Sequence, residues 1–225
     1  MNTHAFASRI LAPLLALAWA GPGALTCPAT NHYVNDASTN GDVFCSAPGL
    51  DSNDGLTAGR PKASLAAVLA SSTLGPADTV FVDAGSYTCL SNIVIDSRHG
   101  GSWDQPLLFQ GAGRSTFLVR QNSNATNACC LLLEAAFVNI DGFVFTGARV
   151  GLCVNAEAST RAHVTGCVFK GNRKAGIEVF STGTSSYNSF YIARNLFFDT
   201  GDCMRLEADR TDGGGDQFDV YNNTA

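Results

Sequence analysis

Charge is scarce in this chain. Of its 225 residues only 15% are Asp, Glu, Lys or Arg, 19 acidic against 14 basic, for a net charge of −5. That balance argues against nucleic acid as a partner, because phosphate binding needs clustered Lys and Arg that release counterions. The densest basic group, Lys170, Arg173 and Lys174, is followed closely by Glu178. Long apolar runs are missing too. The stretch from Ile10 to Ala20, broken by Pro13, falls short of the ~18–20 residues a membrane span requires. Zinc-type spacing is also absent: none of the eight cysteines forms a Cys-x-x-Cys pair, and His32, His99 and His163 are scattered. Beyond Val80 there is no helical period, which excludes a bundle or a helical solenoid.

What remains can bury a core. Hydrophobic residues make up 45% and there are 23 glycines, a composition that is neither disordered nor collagen-like and suits one domain. Residues 1–20 read as an export signal, with Arg9 before the apolar run and Ala18-Trp19-Ala20 at the cut. Cleavage falls after Ala20, with Thr26 as a later alternative. The expected location is therefore secreted, periplasmic or at the cell surface, and the mature chain, having lost only the charge of Arg9, carries −6. Cysteines in an exported chain permit disulfides. Cys27 with Cys45 would tie down the N-terminal loop.

Residues 21–79 form an entry and cap. Tyr33-Val34-Asn35 leads into a loop rich in Asp, Ser, Asn and Gly, then a helix over 64–70 with Ser64 as its cap and Leu65, Val68 and Leu69 at helical spacing. Asp51-Ser52-Asn53-Asp54-Gly55 begins like an EF-hand loop. Leu56 and Lys62 stand where Gly and Glu are required, so it reads as an Asx-rich turn.

From residue 80 to 225 the chain repeats. Anchoring on Ile140, Val164, Ile192 and Val220 gives steps of 24, 28 and 28 residues, and an interleaved series on Val154, Val179 and Leu206 gives 25 and 27. Strand-only units of this length that stack like faces make a parallel β-helix of about five or six coils, expected to be monomeric. The four anchors should form one inward column, with Gly85, Gly142 and Asn195 at turns and an internal ladder of Asn195 and Asn223. Cys130 and Cys153, 23 residues apart, become candidates for a bridge between coils. The chain stops at Ala225 inside a strand-and-turn pattern with no second cap, as a product cut short at its C-terminus would.

Tyr33-Val34-Asn35, Asp51-Ser52-Asn53-Asp54-Gly55-Leu56, Ser64-Leu65-Ala66-Ala67 and Ala77-Asp78-Thr79-Val80-Phe81-Val82-Asp83-Ala84-Gly85-Ser86-Tyr87 together resemble the N-terminal entry of secreted right-handed parallel β-helix proteins of the pectate-lyase-like superfamily. The resemblance covers residues 33 to 225. It implies an all-β, right-handed solenoid with a short N-terminal capping helix. It implies less about function, because lyases, epimerases, glycoside hydrolases, phage spikes and adhesins share the motifs.

Strand alternation selects candidate residues. With Leu152, Val154, Ile177, Val179, Met204 and Leu206 inward, Cys153, Glu178 and Arg205 form an outward column, and Asn155, Phe180 and Glu207 flank it. Arg149 and Lys174, 25 residues apart, occupy matching turns before their strands, and Asp209 follows Glu207. A groove of cations beside carboxylates suits a uronate-containing polysaccharide. In the resembled lyases Ca²⁺ held by Asp and Glu neutralises the substrate carboxylate while a Lys or Arg removes the neighbouring proton. That resemblance implies Lys174 as base, Arg205 as charge stabiliser, Arg149 and Phe180 as substrate-binding residues, and Glu178, Glu207 and Asp209 around Ca²⁺. A Glu207–Asp209 pair for glycoside hydrolysis is the enzymatic alternative, and a non-catalytic adhesin is the alternative of another class. His163 points outward, Gly213-Gly214-Gly215-Asp216 is a loop, and Asn124 and Asn222 begin glycosylation sequons that matter in a eukaryotic source.

Overall fold

A strand with one apolar and one polar edge has one face to bury, and a coiling chain buries it against the strand one turn earlier. The computed structural model describes residues 28–180, 188–207 and 217–225 and shows this arrangement. Among the described residues all strand pairs are parallel and fall into three sheets, of which one has seven strands and two have five, each complete coil giving one strand to every sheet. A seven-stranded sheet runs through Asn31–Val34, Thr79–Val82, Leu107–Gly111, Val138–Asp141, Ala162–Thr165, Ser189–Ala193 and Gln217–Tyr221. Each of its strands from Thr79–Val82 to Ser189–Ala193 leads into a five-stranded sheet made of Gly85–Cys89, Thr116–Arg120, Phe143–Thr146, Val168–Lys170 and Leu196–Phe198. A second five-stranded sheet then closes each coil with Ile93–Ile95, Cys129–Leu133, Val150–Asn155, Ala175–Phe180 and Asp202–Leu206. The molecule is a parallel β-helix, in the right-handed sense that parallel crossover connections adopt.

The third face adds to the two strand series read from the sequence. Val138 to Phe145 looks in sequence like one strand, yet it is two, bent at Gly142, whose φ is 78°. Gly166 (φ 62°), Arg194 (φ 60°) and Asn222 (φ 55°) occupy the same left-handed turn position in later coils. The bend shifts the inward positions by one, Val138 and Ile140 before it and Phe143 and Phe145 after it, while the spacing from coil to coil is unchanged. Gly85 opens its strand just after the Asp83-Ala84 corner, and Asn195 sits in the bend before Leu196–Phe198.

The inward column runs as expected and extends further. Val80, Phe109, Ile140, Val164, Ile192 and Val220 are in register on successive coils. The first five are buried, while Val220 on the last strand is 38% exposed. On the next face Phe145, Phe169 and Phe197 stack with centroids 5.0 Å apart, matching the ~4.8 Å between strands. Each such ring contributes roughly 1.5–3 kcal/mol by burial and about 0.5–1.5 kcal/mol more per stacked pair. The Asn ladder is internal: Asn195 accepts from the Cys167 N–H at 2.9 Å and donates to Val164 O at 2.9 Å, and Asn223 repeats both bonds one coil on.

At the N-terminal end the helix spans Leu65–Ser71, with Ser64 Oγ accepting from the Ala67 N–H. Leu65, Val68 and Leu69 turn inward to cover the first coil. The Asx-rich turn holds no space for a cation, because the Lys62 ammonium donates to Asp51 O at 3.0 Å and Asn53 O at 2.7 Å. The loop is tied to the coils by Asp83. Its fully buried carboxylate accepts from the backbone N–H groups of Val43, Phe44, Cys45 and Ala84 at 2.6–2.8 Å.

The seven described cysteines are free thiols, and Cys27 lies outside the described residues. Cys130 does not meet Cys153, because the two side chains lie on opposite sides of one sheet. Cys130 belongs to the core, its Sγ 3.3 Å from Leu118 O and beside the Cys89 thiol. Cys153 joins Cys129 in a separate outer cluster. Residues 1–20 also lie outside the described part, in which no helix is long and apolar enough to cross a membrane.

Candidate functional site

The outer surface of the sheet that closes each coil carries a cleft of about 460 Å³. Register places its side chains. Cys153, Glu178 and Arg205 follow one another on adjacent strands, as do Asn155 and Phe180. Arg149 and Lys174 hold the turns just before Val150 and Ala175, and the Lys174 N–H donates to Arg149 O at 2.7 Å. Arg149, Lys174, Glu178 and Phe180 thus share the cleft, whose floor is Cys129, Leu132, Val150 and Cys153.

The charges are already partly matched. Glu178 is 8% exposed and contacts the Lys174 ammonium, and Arg205 Nε lies 3.4 Å from its carboxylate. Arg205 also donates to Glu207 at 2.9 Å and to Asp202 at 3.2 Å. Glu207 first and Asp202 second raise the Arg205 guanidinium above its ordinary value, so Arg205 acts as a fixed cation and not as a proton donor. The Cys129 thiol is pushed far up by its contact with Cys153 and by burial, which removes a thiolate nucleophile from the floor.

Sequence reasoning missed Asp202 as a partner of Arg205, and it missed Glu134, Asn92, Thr126, Asn127 and Cys129 as walls of the cleft. Glu134 was findable: it stands one coil before Asn155 in the Asn155–Phe180 column and accepts from Asn155 Nδ2 at 3.4 Å. Thr126 and Asn127 lie on the irregular segment before Cys129, which no period locates. Asp209 and Gly213 to Asp216 lie outside the described residues. The described carboxylates do not fit a calcium site by themselves. Glu178 and Glu207 both face Arg205, and no group of three Asp, Glu, His or Cys side chains converges for a metal among the described residues.

Another hollow, about 470 Å³ beside His99, is walled largely by Gly and Ala, and its Arg98 is tied to Asp96 at 3.1 Å. It offers little chemistry.

No family model matches the sequence, and no curated protein matches it. Among solved structures the chain is similar to a rhamnogalacturonan lyase, with 10% identity and a TM-score of 0.45 over 87% of this chain and 62% of that one. It is also similar to the GH136 lacto-N-biosidase from Eubacterium ramulus, with 14% identity and a TM-score of 0.42 over 78% and 34%. An alginate lyase from Paenibacillus sp. str. FPU-7 is matched at 14% identity and a TM-score of 0.41 over 71% and 72%. Likenesses this distant carry no residue role to this chain.

Proposed function

We propose that the protein engages an acidic polysaccharide on the sheet that closes each coil, with lyase or epimerase chemistry as its catalytic form. The observation that carries this reading is the convergence in one cleft of two cations from adjacent turns, Arg149 and Lys174, with the ring of Phe180 and an apolar floor. Guanidinium and ammonium groups suit uronate carboxylates, and an aromatic ring beside them gives a sugar ring apolar contact.

Both chemistries begin by removing the proton α to the uronate carboxylate. Lys174, having passed its ammonium proton to the Glu178 carboxylate, takes that proton as the neutral amine, and Arg205 offsets the charge that develops on the substrate carboxylate. In elimination the bond from the β-carbon to the glycosidic oxygen breaks, the electron pair leaves with that oxygen, and the oxygen takes up the proton that Lys174 carries. In epimerisation the proton returns on the opposite side. No step runs through Ca²⁺. The close Lys174–Glu178 pair favours a second reading, glycan binding without turnover, because a lysine held as a cation has no lone pair to accept a proton.

The test uses pectate, alginate and a glycosaminoglycan, each with and without Ca²⁺. Unsaturated uronate is read by ultraviolet absorbance, and proton exchange is followed in heavy water. The expected result is turnover on one polymer that Lys174→Ala abolishes while stability stays within about 1 kcal/mol. Binding without absorbance or exchange selects the second reading. An absence of binding to every polyuronate ends both.

A further inference from the structure

We infer that the outer surface of the seven-stranded sheet is a second binding surface, and that its ligand is a carboxylate-bearing sugar chain. This surface is a different face from the cleft, and the inference does not depend on the cleft being active. A hollow of about 440 Å³ reaches toward Tyr191 and Arg194, and a smaller one of about 60 Å³ reaches toward Trp103 and Arg161. They share Asn139 and His163 as walls and so form one trough.

Arg161 Nη1 donates to Trp103 O at 3.3 Å, and the Tyr191 hydroxyl meets that of Tyr221; neither bond is to a carboxylate. Asn139, His163 and Tyr191 are in register on successive coils. The His163 ring leans on Tyr191 with centroids 5.0 Å apart, and its other side faces the short Asn139. Asp141 also lines the trough, accepting from Gln110 at 2.9 Å and Thr165 at 2.6 Å; these neutral donors leave its single charge in place, set against the two guanidiniums. Among the described residues neither Arg161 nor Arg194 pairs with a carboxylate, a property they share with Arg149 of the cleft. Arg161 lies 3.4 Å over the Trp103 ring and leaves that indole 66% exposed. Unpaired guanidinium forks match carboxylates bidentately, and an open aromatic beside them suits a sugar ring.

The backbone adds a second argument. Arg161 and Arg194 sit at φ 61° and 60°, in the left-handed region that costs a residue with a β-carbon about 1 kcal/mol or more. At the Arg194 position earlier coils use glycine and the next uses Asn222. Among the described residues no ion pair of the Arg194 side chain offsets that cost, whereas an anionic ligand would.

The test begins with polygalacturonate in gel retardation, using the Arg149→Ala/Lys174→Ala protein so that the cleft does not mask the trough. That protein should be retarded. Adding Arg161→Asn and Arg194→Asn, which keep a residue tolerant of the left-handed turn, should weaken binding at least tenfold, and methyl-esterified polymer should not bind. Trp103 is the only tryptophan after Trp19, so in a Trp19→Phe protein its fluorescence should change on polygalacturonate addition, a readout independent of how the arginine variants fold. The inference is overturned if the Arg149→Ala/Lys174→Ala protein is not retarded, if the arginine variants bind equally well, or if Trp103 fluorescence does not respond. The cleft reading fails separately, if Arg149→Ala/Lys174→Ala leaves affinity and turnover unchanged.

Discussion

Asp83→Asn removes one charge and should detach the N-terminal loop from the solenoid. Oδ1 accepts from the Val43 and Ala84 N–H groups at 2.7 and 2.8 Å, and Oδ2 from Phe44 and Cys45 at 2.8 and 2.6 Å. In the amide one oxygen becomes an NH₂ group, so two backbone donors face another donor. Hydrogen bonds to a charged group are worth about 1.5–3 kcal/mol each, and losing two costs roughly 3–6 kcal/mol, or on the order of 10 °C in melting temperature for a domain of this size. Burial raises the Asp83 carboxyl, but the four backbone donors outweigh burial and hold it below the usual carboxylate range. A depressed folded-state pKa means the stabilisation is complete above the unfolded value of about 3.9 and is lost as pH falls through the folded value. The gap between wild type and Asp83→Asn should therefore be full at neutral pH and shrink in acid below about pH 4. Urea denaturation at a series of pH values measures it. A gap under about 1 kcal/mol at neutral pH, or one independent of acid, would refute the role assigned to Asp83.

Three further outcomes can be checked on the same preparation. A Cβ on Gly176 would lie 2.6 Å from Phe197 Cδ1 and 2.8 Å from Cys203 O, so Gly176→Ala should cost about 1–3 kcal/mol or more by overpacking. Gly59→Ala, whose Cβ would be 3.6 Å from Ser46 Oγ, should stay within about 0.5 kcal/mol, and equal melting of the two would contradict the packing described. Asn195→Ala should lose roughly 2–4 kcal/mol by leaving the Cys167 N–H and Val164 O unpaired, measured by denaturation. If the protein is oxidised, peptide mapping without reduction should join Cys130 to Cys89, since those thiols are neighbours, and a Cys130–Cys153 peptide would contradict the facing of the sheet.

The repeat was legible because a solenoid writes its period into the chain: each coil must present the same apolar face to the next, so Ile140, Val164, Ile192 and Val220 recur in step and fall in register. The Asn ladder and the Ser64 cap were legible for a similar reason, since each satisfies backbone groups by a local rule that one residue type meets. Alternation also placed Glu178 beside Arg205 and Arg149 beside Lys174. Tertiary structure alone decided the third face, the partners of the thiols and the walls of the cleft. At Gly142 the inward positions slip by one residue, from Val138 and Ile140 to Phe143 and Phe145, a local phase shift that a period counted from coil to coil does not register. Which thiol meets Cys130 depends on which side of a sheet each cysteine faces. The trough of Asn139, His163, Arg161 and Arg194 draws on strands and turns of different coils, and only stacking at ~4.8 Å brings residues so far apart in sequence onto one surface.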